Sequence, residues 1–214
     1  MTDYRTGNME DKYAKKDLVE EAVFQYAGLL PEKRQGEYTL DDYYALPDDQ
    51  RFELIDGVLY DMAAPTTTHQ VAGFQIAHQM ENYIDSQDGD CLVLVSPVDV
   101  QLDQDERTMV QPDVVVICDR DKVIHRCIYG APDLTMEVLS PSTAKKDQVI
   151  KTEKYCKAGV REYWMIDIER RRVVVYDFEN HSSPVIYGID QPIPVQIFSG
   201  NCQIDFGRIY KKIS

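Results

Sequence analysis

The chain has 214 residues, of which 43% are hydrophobic and 28% are charged, and its 23 basic against 37 acidic residues give a formal net charge of −14 at pH 7. This length favours one domain with one sizeable core. The acidic balance opposes non-specific attraction to nucleic acid, so a polynucleotide partner would have to meet a local basic patch. No apolar run approaches the roughly 20 residues that a bilayer span requires, so we expect no membrane-spanning segment.

The N-terminal part differs in composition from the rest of the chain. It is highly charged up to "LPEKRQGE", where Pro and Gly are typical of a linker. We therefore predict an arm over residues 1–36, which could form one amphipathic helix, and a domain over residues 37–214. No apolar stretch indicates a signal or transit peptide. The five cysteines are scattered and lack a C-x-x-C pair, so we expect neither a disulfide framework nor a zinc site, and a reducing cytoplasm fits.

The predicted elements begin with a short helix at "LDDYYAL", where Thr39 and Asp42 form an N-cap signal. Two short strands follow around Asp56-Gly57, a dipeptide suited to the positive φ angles of a tight hairpin turn. A helix is predicted from Thr67 to Ser86. The next four segments have the apolar, turn-bounded character of strands, and they are "CLVLV", "VDVQL", "DVVVIC" and "LTMEVL".

A second helix is predicted at "STAKKDQVIKTEKYCKAG", with Ser142 or Thr143 as N-cap and Gly159 as its C-terminal stop. Strands "REYWMID" and "RRVVVYDF" close the core. The tail contains Pro residues, which favour short edge strands. Strands interrupted by a helix, with apolar runs bounded by turns, indicate an α/β (α+β) fold with a mixed β-sheet flanked by helices.

The carboxylate of Glu137 lies in the middle of the apolar run "LTMEVL". Alternate residues of a strand face opposite ways, so Thr135, Glu137 and Leu139 share one face. Burying an unpaired carboxylate costs several kcal/mol, so Glu137 should have a cation, a metal or a shared proton as partner. A structural ion pair with Arg or Lys is the alternative interpretation.

The aspartates of two Pro-Asp pairs are candidates to share a metal ion with Glu137. Asp133 lies on the same strand at roughly 13 Å, taking about 3.3 Å per residue, so the two could not share a small cation. Asp113 belongs to a different strand, and Pro112 places it at the start of that strand, near the margin of the sheet. Alternatively, Asp113 is a solvent-exposed residue at the start of a strand. Glu53 is either an ordinary exposed strand residue or a third acid.

Four motifs occur in order along the chain: "YTLDDYYALP…RFELIDGVLYDM", "QPDVVVI", "PDLTMEVLSPST" and D-x-x-x-K-x-x-x-Y-x-x-x-G-V-x-E-Y-W-x-I-D over residues 147–167. Together they resemble the Uma-two family of restriction-endonuclease-like proteins, over about residues 38–180. The resemblance implies the core of the PD-(D/E)-x-K nucleases, a mixed sheet between helices whose acids bind divalent metal.

Applied to this sequence, the resemblance implies that Asp113 and Glu137 bind Mg²⁺ (or Mn²⁺) together with a backbone carbonyl near Val138. It makes Glu53 an additional acid of the same site. It also implies DNA as the partner and leaves a homodimer open.

The wider superfamily has Lys two residues after the acid, where this chain has Leu139. The family pattern implies a lysine from the following helix instead. At 100° per residue Lys151 lies about 40° and Lys154 about 20° from Asp147, so helical geometry does not separate them. The D-x-x-x-K-x-x-x-Y match, which ends at Tyr155, favours Lys151, and Asp147 could hold its stem as an i, i+4 partner. For the other four candidate lysines, a solvated helix face is at least as good an interpretation; they are Lys145, Lys146, Lys154 and Lys157.

Two further features could approach this site. His69, at "TTTHQ", could reach it, although a helix cap or surface role is favoured. Arg170, Arg171 and Arg172 form a predicted tight turn that is either solvated or in contact with phosphate.

The leading hypothesis is a Mg²⁺-dependent endonuclease that hydrolyses DNA, with Lys151 positioning or helping to deprotonate the attacking water. The alternative is a non-catalytic binding or assembly protein that retains the nuclease fold, which the net charge of −14 supports. Hydrolysis of a small phosphoester is a third reading.

Overall fold

The computed structural model describes residues 33–47, 50–139 and 147–213. Most of the predicted arm over residues 1–36 lies outside these ranges, as do Lys145, Lys146 and the predicted N-cap at Ser142 or Thr143. Within the described ranges, none of the helices combines the length and the apolar character needed to cross a bilayer.

The described residues form α-helices and β-strands, with most of the strands in two consecutive runs. The helices are α1 (Leu40–Tyr44), α2 (Thr67–Ser86), α3 (Thr152–Ala158) and α4 (Phe206–Ile213). The strands are β1 (Phe52–Ile55), β2 (Val58–Asp61), β3 (Leu92–Val95), β4 (Val100–Gln101), β5 (Val114–Ile117), β6 (Ile128–Tyr129), β7 (Leu134–Val138), β8 (Glu162–Asp167), β9 (Arg172–Asp177), β10 (Val185–Gly188), β11 (Ile193–Val195) and β12 (Cys202–Ile204). Shorter turns of helix are the 3-10 turns Arg120–Lys122 and Gln196–Phe198 and a π-helical turn, Asp147–Lys151, which leads into α3.

A six-stranded mixed sheet forms the centre of the fold, in the order β10-β9-β8-β7-β5-β3. β7 and β8 run parallel, and the other neighbouring strands run antiparallel. The π-helical turn and α3 lie on the connection between the two parallel strands, which cannot be joined by a tight hairpin. The predicted mixed sheet flanked by helices is confirmed.

The two faces of the sheet carry different layers. On one face, helices α2 and α4 and the β11–β12 hairpin cover a core that includes Ile76, Met136, Trp164 and Phe206. On the other face, the β1–β2 hairpin, strands β4 and β6 and helix α3 cover a second core. Leu134, Met136 and Val138 of β7 belong to the first core, so strand alternation turns Glu137 toward the second.

Local sequence signals account for several boundaries. Thr39 and Asp42 form the expected capping box of α1. Asp56 and Gly57 have φ angles of 52° and 79° in the β1–β2 turn, and a Cβ at Gly57 would lie 2.6 Å from the Gly36 carbonyl oxygen, so only glycine fits there. The predicted bounds of α2 are confirmed at both ends.

The C-terminal tail was only partly predicted. Its short strands are present, but helix α4 is an addition that the Pro-based reading missed. The signal for this helix is the spacing of its apolar residues, which follows the i, i+3, i+4, i+7 pattern of an α-helix at Phe206, Ile209, Tyr210 and Ile213. It extends over only eight residues.

The cysteine prediction needs a correction, because Cys91 and Cys118 form a disulfide. These two residues extend the β3–β5 pairing, in which Leu92 faces Ile117, by one further pair. Cysteine spacing alone does not reveal strand pairing, so the sequence reading overlooked this bridge. Other described cysteines are free thiols, namely Cys127, Cys156 and Cys202.

Loss of this disulfide should be measurable as a loss of stability. The bridge joins residues separated by 27 positions, and closing such a loop in the unfolded chain stabilises the folded state by about 3–4 kcal/mol. The Cys91→Ser/Cys118→Ser variant should lose this free energy of unfolding in urea titration, and a reductant should destabilise only the parent protein. Cys156→Ser, at an exposed free thiol, is the matched control. Equal unfolding midpoints for parent and double variant without reductant would contradict the prediction.

Candidate active site

The carboxylate of Glu137 is buried on the face of β7 that meets α3. Its Oε1 accepts hydrogen bonds from Lys151 Nζ at 2.6 Å and from the Tyr155 hydroxyl at 2.8 Å. Burial of Tyr155, reinforced by the negative charge of Glu137, raises the pKa of this phenol well above its usual value. Tyr155 therefore stays protonated at neutral pH and remains a hydrogen-bond donor to Glu137.

A second carboxylate approaches the same lysine from the β1–β2 hairpin. Glu53 is completely buried, and its Oε1 lies 2.7 Å from Lys151 Nζ and accepts the Gln111 backbone N–H at 2.9 Å. The reading of Glu53 as an exposed strand residue is therefore wrong. Lys151, itself only 2% exposed, bridges Glu53 and Glu137. These ion pairs offset part of the free-energy cost of removing two carboxylates from water.

The structure separates the two lysines that helical geometry left equivalent. Lys151 ends the π-helical turn, a rare conformation often found at functional sites. Lys154 instead contacts Asp56 at 2.8 Å, and also Asp103. Burial opposes the charged form of Lys154, but these two aspartates outweigh it and raise its pKa. Of these two lysines, Lys151 is therefore the one directed at Glu137; the side chain of Asp147 lies outside the described part of the chain.

Asp113 comes directly before β5, at the end of the sheet where β7 finishes. Val114 pairs with Met136, so continuing this register by one residue sets Asp113 opposite Glu137. Cβ atoms of such cross-strand neighbours are about 4.5–5.5 Å apart. The Asp113 Oδ2 atom accepts the Val138 backbone N–H at 2.7 Å. This bond joins the start of β5 to the end of β7 and limits the orientation of the carboxylate.

His69 takes a different position from the one favoured by the sequence. The N-cap of α2 is Thr66, which accepts the backbone N–H of His69. The imidazole Nε2 lies 3.2 Å from Asp113 Oδ2, and both side chains are largely buried. The residue is therefore neither a cap nor a surface histidine. Its place in the first turn of α2 brings it to the same end of the sheet as Asp113.

Gln111, two residues before Asp113, is a site residue that the sequence reading missed. Its backbone N–H holds Glu53, while its side-chain amide donates to Tyr43 and Asp99 at 3.0 and 2.8 Å. The segment "QPDVVVI" thus supplies both the carboxylate of Asp113 and the backbone N–H that holds Glu53. The Pro-Asp motif drew attention to Asp113 alone.

Asp133 behaves as the distance argument predicted. It accepts the Cys118 backbone N–H at 2.7 Å and pairs with Arg161 at 3.0 Å. These contacts lie at the beginning of β7, at the opposite end of the strand from Glu137. Asp133 is a strand-entry residue and takes no part in the candidate site.

The donor set can be compared with the needs of a hard divalent cation. Among the residues in the described ranges, no three His, Cys, Asp or Glu side chains are grouped so that they could hold a metal ion. Glu53 and Glu137 both contact the ammonium of Lys151, and Asp113 and Glu137 are the two carboxylates that lie opposite each other across β5 and β7. This set fits Mg²⁺, which retains several waters and commonly takes only one or two carboxylates from a protein.

The mixed sheet between helices, with acids at the end of its central strands, defines the restriction-endonuclease-like class of α/β folds. A solved structure from Anabaena variabilis ATCC 29413, described as a "putative nuclease belonging to DUF820", has this fold, with a TM-score of 0.69 at 19% identity over 82% of this chain and 99% of that one. The Uma2 family, described as "Putative restriction endonuclease", matches residues 40–206. The chain belongs to this family.

A relative with a closer sequence covers less of the chain. The protein slr1290 from Synechocystis sp. is 33% identical over 100 residues, which are 46% of this chain and 50% of that protein. The chain thus matches about half the length of this curated relative.

Proposed function

We propose that the protein is a metal-dependent endonuclease that hydrolyses phosphodiester bonds in DNA. The observation that carries the proposal is the juxtaposition of Asp113 and Glu137 at one end of the sheet, with the ammonium of Lys151 2.6 Å from Glu137. Membership of the family described as "Putative restriction endonuclease" and the fold shared with a "putative nuclease" support the same reaction class.

In this proposal Asp113 and Glu137, with the backbone carbonyl of Val138, would hold Mg²⁺ or Mn²⁺. The ion, when bound, would stabilise negative charge developing on the phosphate. His69 and the Val138 N–H orient the Asp113 carboxylate, while the Tyr155 hydroxyl orients Glu137. These contacts hold the two acids in place before any substrate arrives, which lowers the cost of organising the site.

Lys151 is proposed to position the attacking water or help to deprotonate it. Its ammonium is the cation that the superfamily supplies from the strand and that Leu139 cannot provide. Glu53, on β1, also fixes the ammonium, because it contacts Lys151 at 2.7 Å and is itself held by the Gln111 N–H. The role of Glu53 is thus to position Lys151, instead of binding the metal directly.

One observation favours a non-catalytic protein that retains the fold. Lys151 already pairs with both Glu53 and Glu137 in a buried, hydrogen-bonded network, as it would in a purely structural ion cluster. Such a protein would need neither metal nor DNA.

Incubation of purified protein with supercoiled and single-stranded DNA separates these functions. We expect nicking or cleavage with Mg²⁺ or Mn²⁺ and none with a chelator. Activity on a model phosphodiester without DNA binding would instead indicate a small-molecule phosphodiesterase. Absence of hydrolysis with every metal and substrate would favour the non-catalytic protein.

A further inference from the structure

The end of the sheet that carries the candidate site also carries a turn rich in arginine. β7 and β8 are parallel, with Val138 beside Ile166, and Leu139 N–H donates to the Ile166 carbonyl at 2.8 Å. Parallel neighbours end at the same edge of a sheet. The turn that follows β8 therefore lies beside the end of β7. This turn contains Arg170 and Arg171, and Arg172 follows as the first residue of β9.

Helix α4 brings a second basic segment to this turn. The guanidinium of Arg171 lies over the Tyr210 ring, 4.7 Å from its centroid, and the Tyr210 hydroxyl donates to the Ile168 carbonyl. These contacts fix the last turn of α4, with exposed Lys211 and Lys212, against the β8–β9 turn.

We define the basic patch as the cationic residues of these two segments: Arg170, Arg171, Arg172, Arg208, Lys211 and Lys212. The same stretches, residues 167–172 and 205–212, contain three acids. One of these, Asp167, is buried and pairs with Arg170 at 3.0 Å and Arg172 at 3.5 Å. The patch is thus a local excess of positive charge on a chain of net charge −14.

We propose that the basic patch binds backbone phosphates of DNA beside the bond to be cleaved. The inference rests on the proposed function and extends it to the path of the substrate. Arginine pairs well with phosphate because its planar fork donates two parallel hydrogen bonds. The contact of Arg171 with Tyr210 holds its guanidinium in place, and the exposed lysines of α4 add charge along the same edge.

The sheet sets the spacing between the patch and the candidate site. From β5 to the β8–β9 turn there are two to three strand spacings of about 4.8 Å, which makes roughly 10–14 Å. One nucleotide advances a DNA strand by about 3.4 Å along the axis. The patch therefore meets phosphates about three or four nucleotides from the scissile one, within reach of a single bound duplex.

The test measures binding separately from cleavage. Fluorescence anisotropy of a short labelled duplex, recorded with chelator over a range of salt concentrations, reports affinity in the absence of metal. For Arg171→Gln/Lys211→Gln/Lys212→Gln we expect at least a roughly 10-fold loss of affinity at low salt. The slope of log K against log salt is negative, and its magnitude should decrease by about 2–3, because each lost phosphate contact removes about 0.9.

Two companion variants make the result specific. Lys157→Gln removes an exposed cation of α3 that pairs with Glu153, and it should keep the parental affinity and slope. Lys211→Gln/Lys212→Gln leaves the packing of Arg171 on Tyr210 intact, so it tests the patch even if the triple variant is poorly folded. Parental affinity and slope in this double variant would overturn the proposal.

Failure of the patch and failure of the proposed function give different results. Patch-dependent DNA binding without hydrolysis in any metal would support the patch and reject the nuclease. Metal-dependent cleavage with patch-independent binding would reject the patch and keep the nuclease. Patch-dependent binding of polyglutamate, with no binding of DNA, would reject DNA as the partner.

Discussion

Replacing Asp113 by Asn or Glu137 by Gln is expected to reduce DNA cleavage by at least about 1000-fold. Metal-ion stabilisation of the developing charge contributes several kcal/mol to such reactions, and about 4 kcal/mol corresponds to this factor. A neutral amide keeps the shape of each side chain but weakens its bond to a divalent ion. Single-turnover cleavage at fixed Mg²⁺ and salt is the measurement.

Asp133→Asn is the matched control for these two variants. It neutralises an acid on the same β7 strand, and asparagine can still accept the Cys118 N–H. Because Asp133 lies at the other end of the strand, we expect near-parental cleavage. Parental rates for Asp113→Asn or Glu137→Gln would place the catalytic site elsewhere.

Replacing Lys151 by Met is expected to lower the free energy of unfolding of the metal-free protein by about 3–5 kcal/mol. The substitution removes the ammonium from between Glu53 and Glu137 and leaves two buried acids without it. Urea unfolding in the presence of a chelator measures the loss. Cleavage should fall strongly as well, since the proposed water-positioning group is absent.

Lys154→Met provides the comparison on the same helix. Its ammonium contacts Asp56 and Asp103 nearer the surface, so we expect a loss of about 1 kcal/mol and a small effect on cleavage. A large loss of cleavage only at Lys154 would overturn the assignment. Equal small losses would reduce both lysines to charges that steer phosphate.

Metal binding gives a readout that does not depend on activity. Mn²⁺ should raise the unfolding temperature of Lys151→Met more than that of the parent, because a divalent ion can offset the charge that the ammonium no longer balances. If Lys151→Met is too unstable to purify, Glu53→Gln/Lys151→Met removes one acid with the cation and should regain stability. No recovery in this double variant would show that the two side chains are not coupled.

Alternation along β7 and the rise per residue were enough to place Glu137 in a covered layer and to separate Asp133 from the site. Both conclusions depend on the geometry of one strand, which is local. The bounds of α2 were equally predictable, because the helix and its apolar stripe lie within one continuous segment. The family motifs extended these local inferences to the mixed sheet.

Contacts between distant segments were decided by the tertiary structure alone. The sequence indicated that Glu137 needed a partner, but only the fold brings Glu53 and Lys151 to it, from β1 and from the π-helical turn. An ideal helix has a constant rotation per residue, which left Lys151 and Lys154 equivalent. Burial of one ammonium and the aspartates around the other distinguish them, and both depend on which strands lie beside the helix.

The amino-acid sequence by itself determined the sheet class, the family and the acids available at strand positions, because periodicity and motif spacing are properties of short segments. The disulfide, the approach of His69 to Asp113 and the meeting of α4 with the arginine turn followed only from tertiary structure. Each joins residues well separated in sequence. Their proximity results from strand order and from packing on the two faces of the sheet, which no single segment encodes.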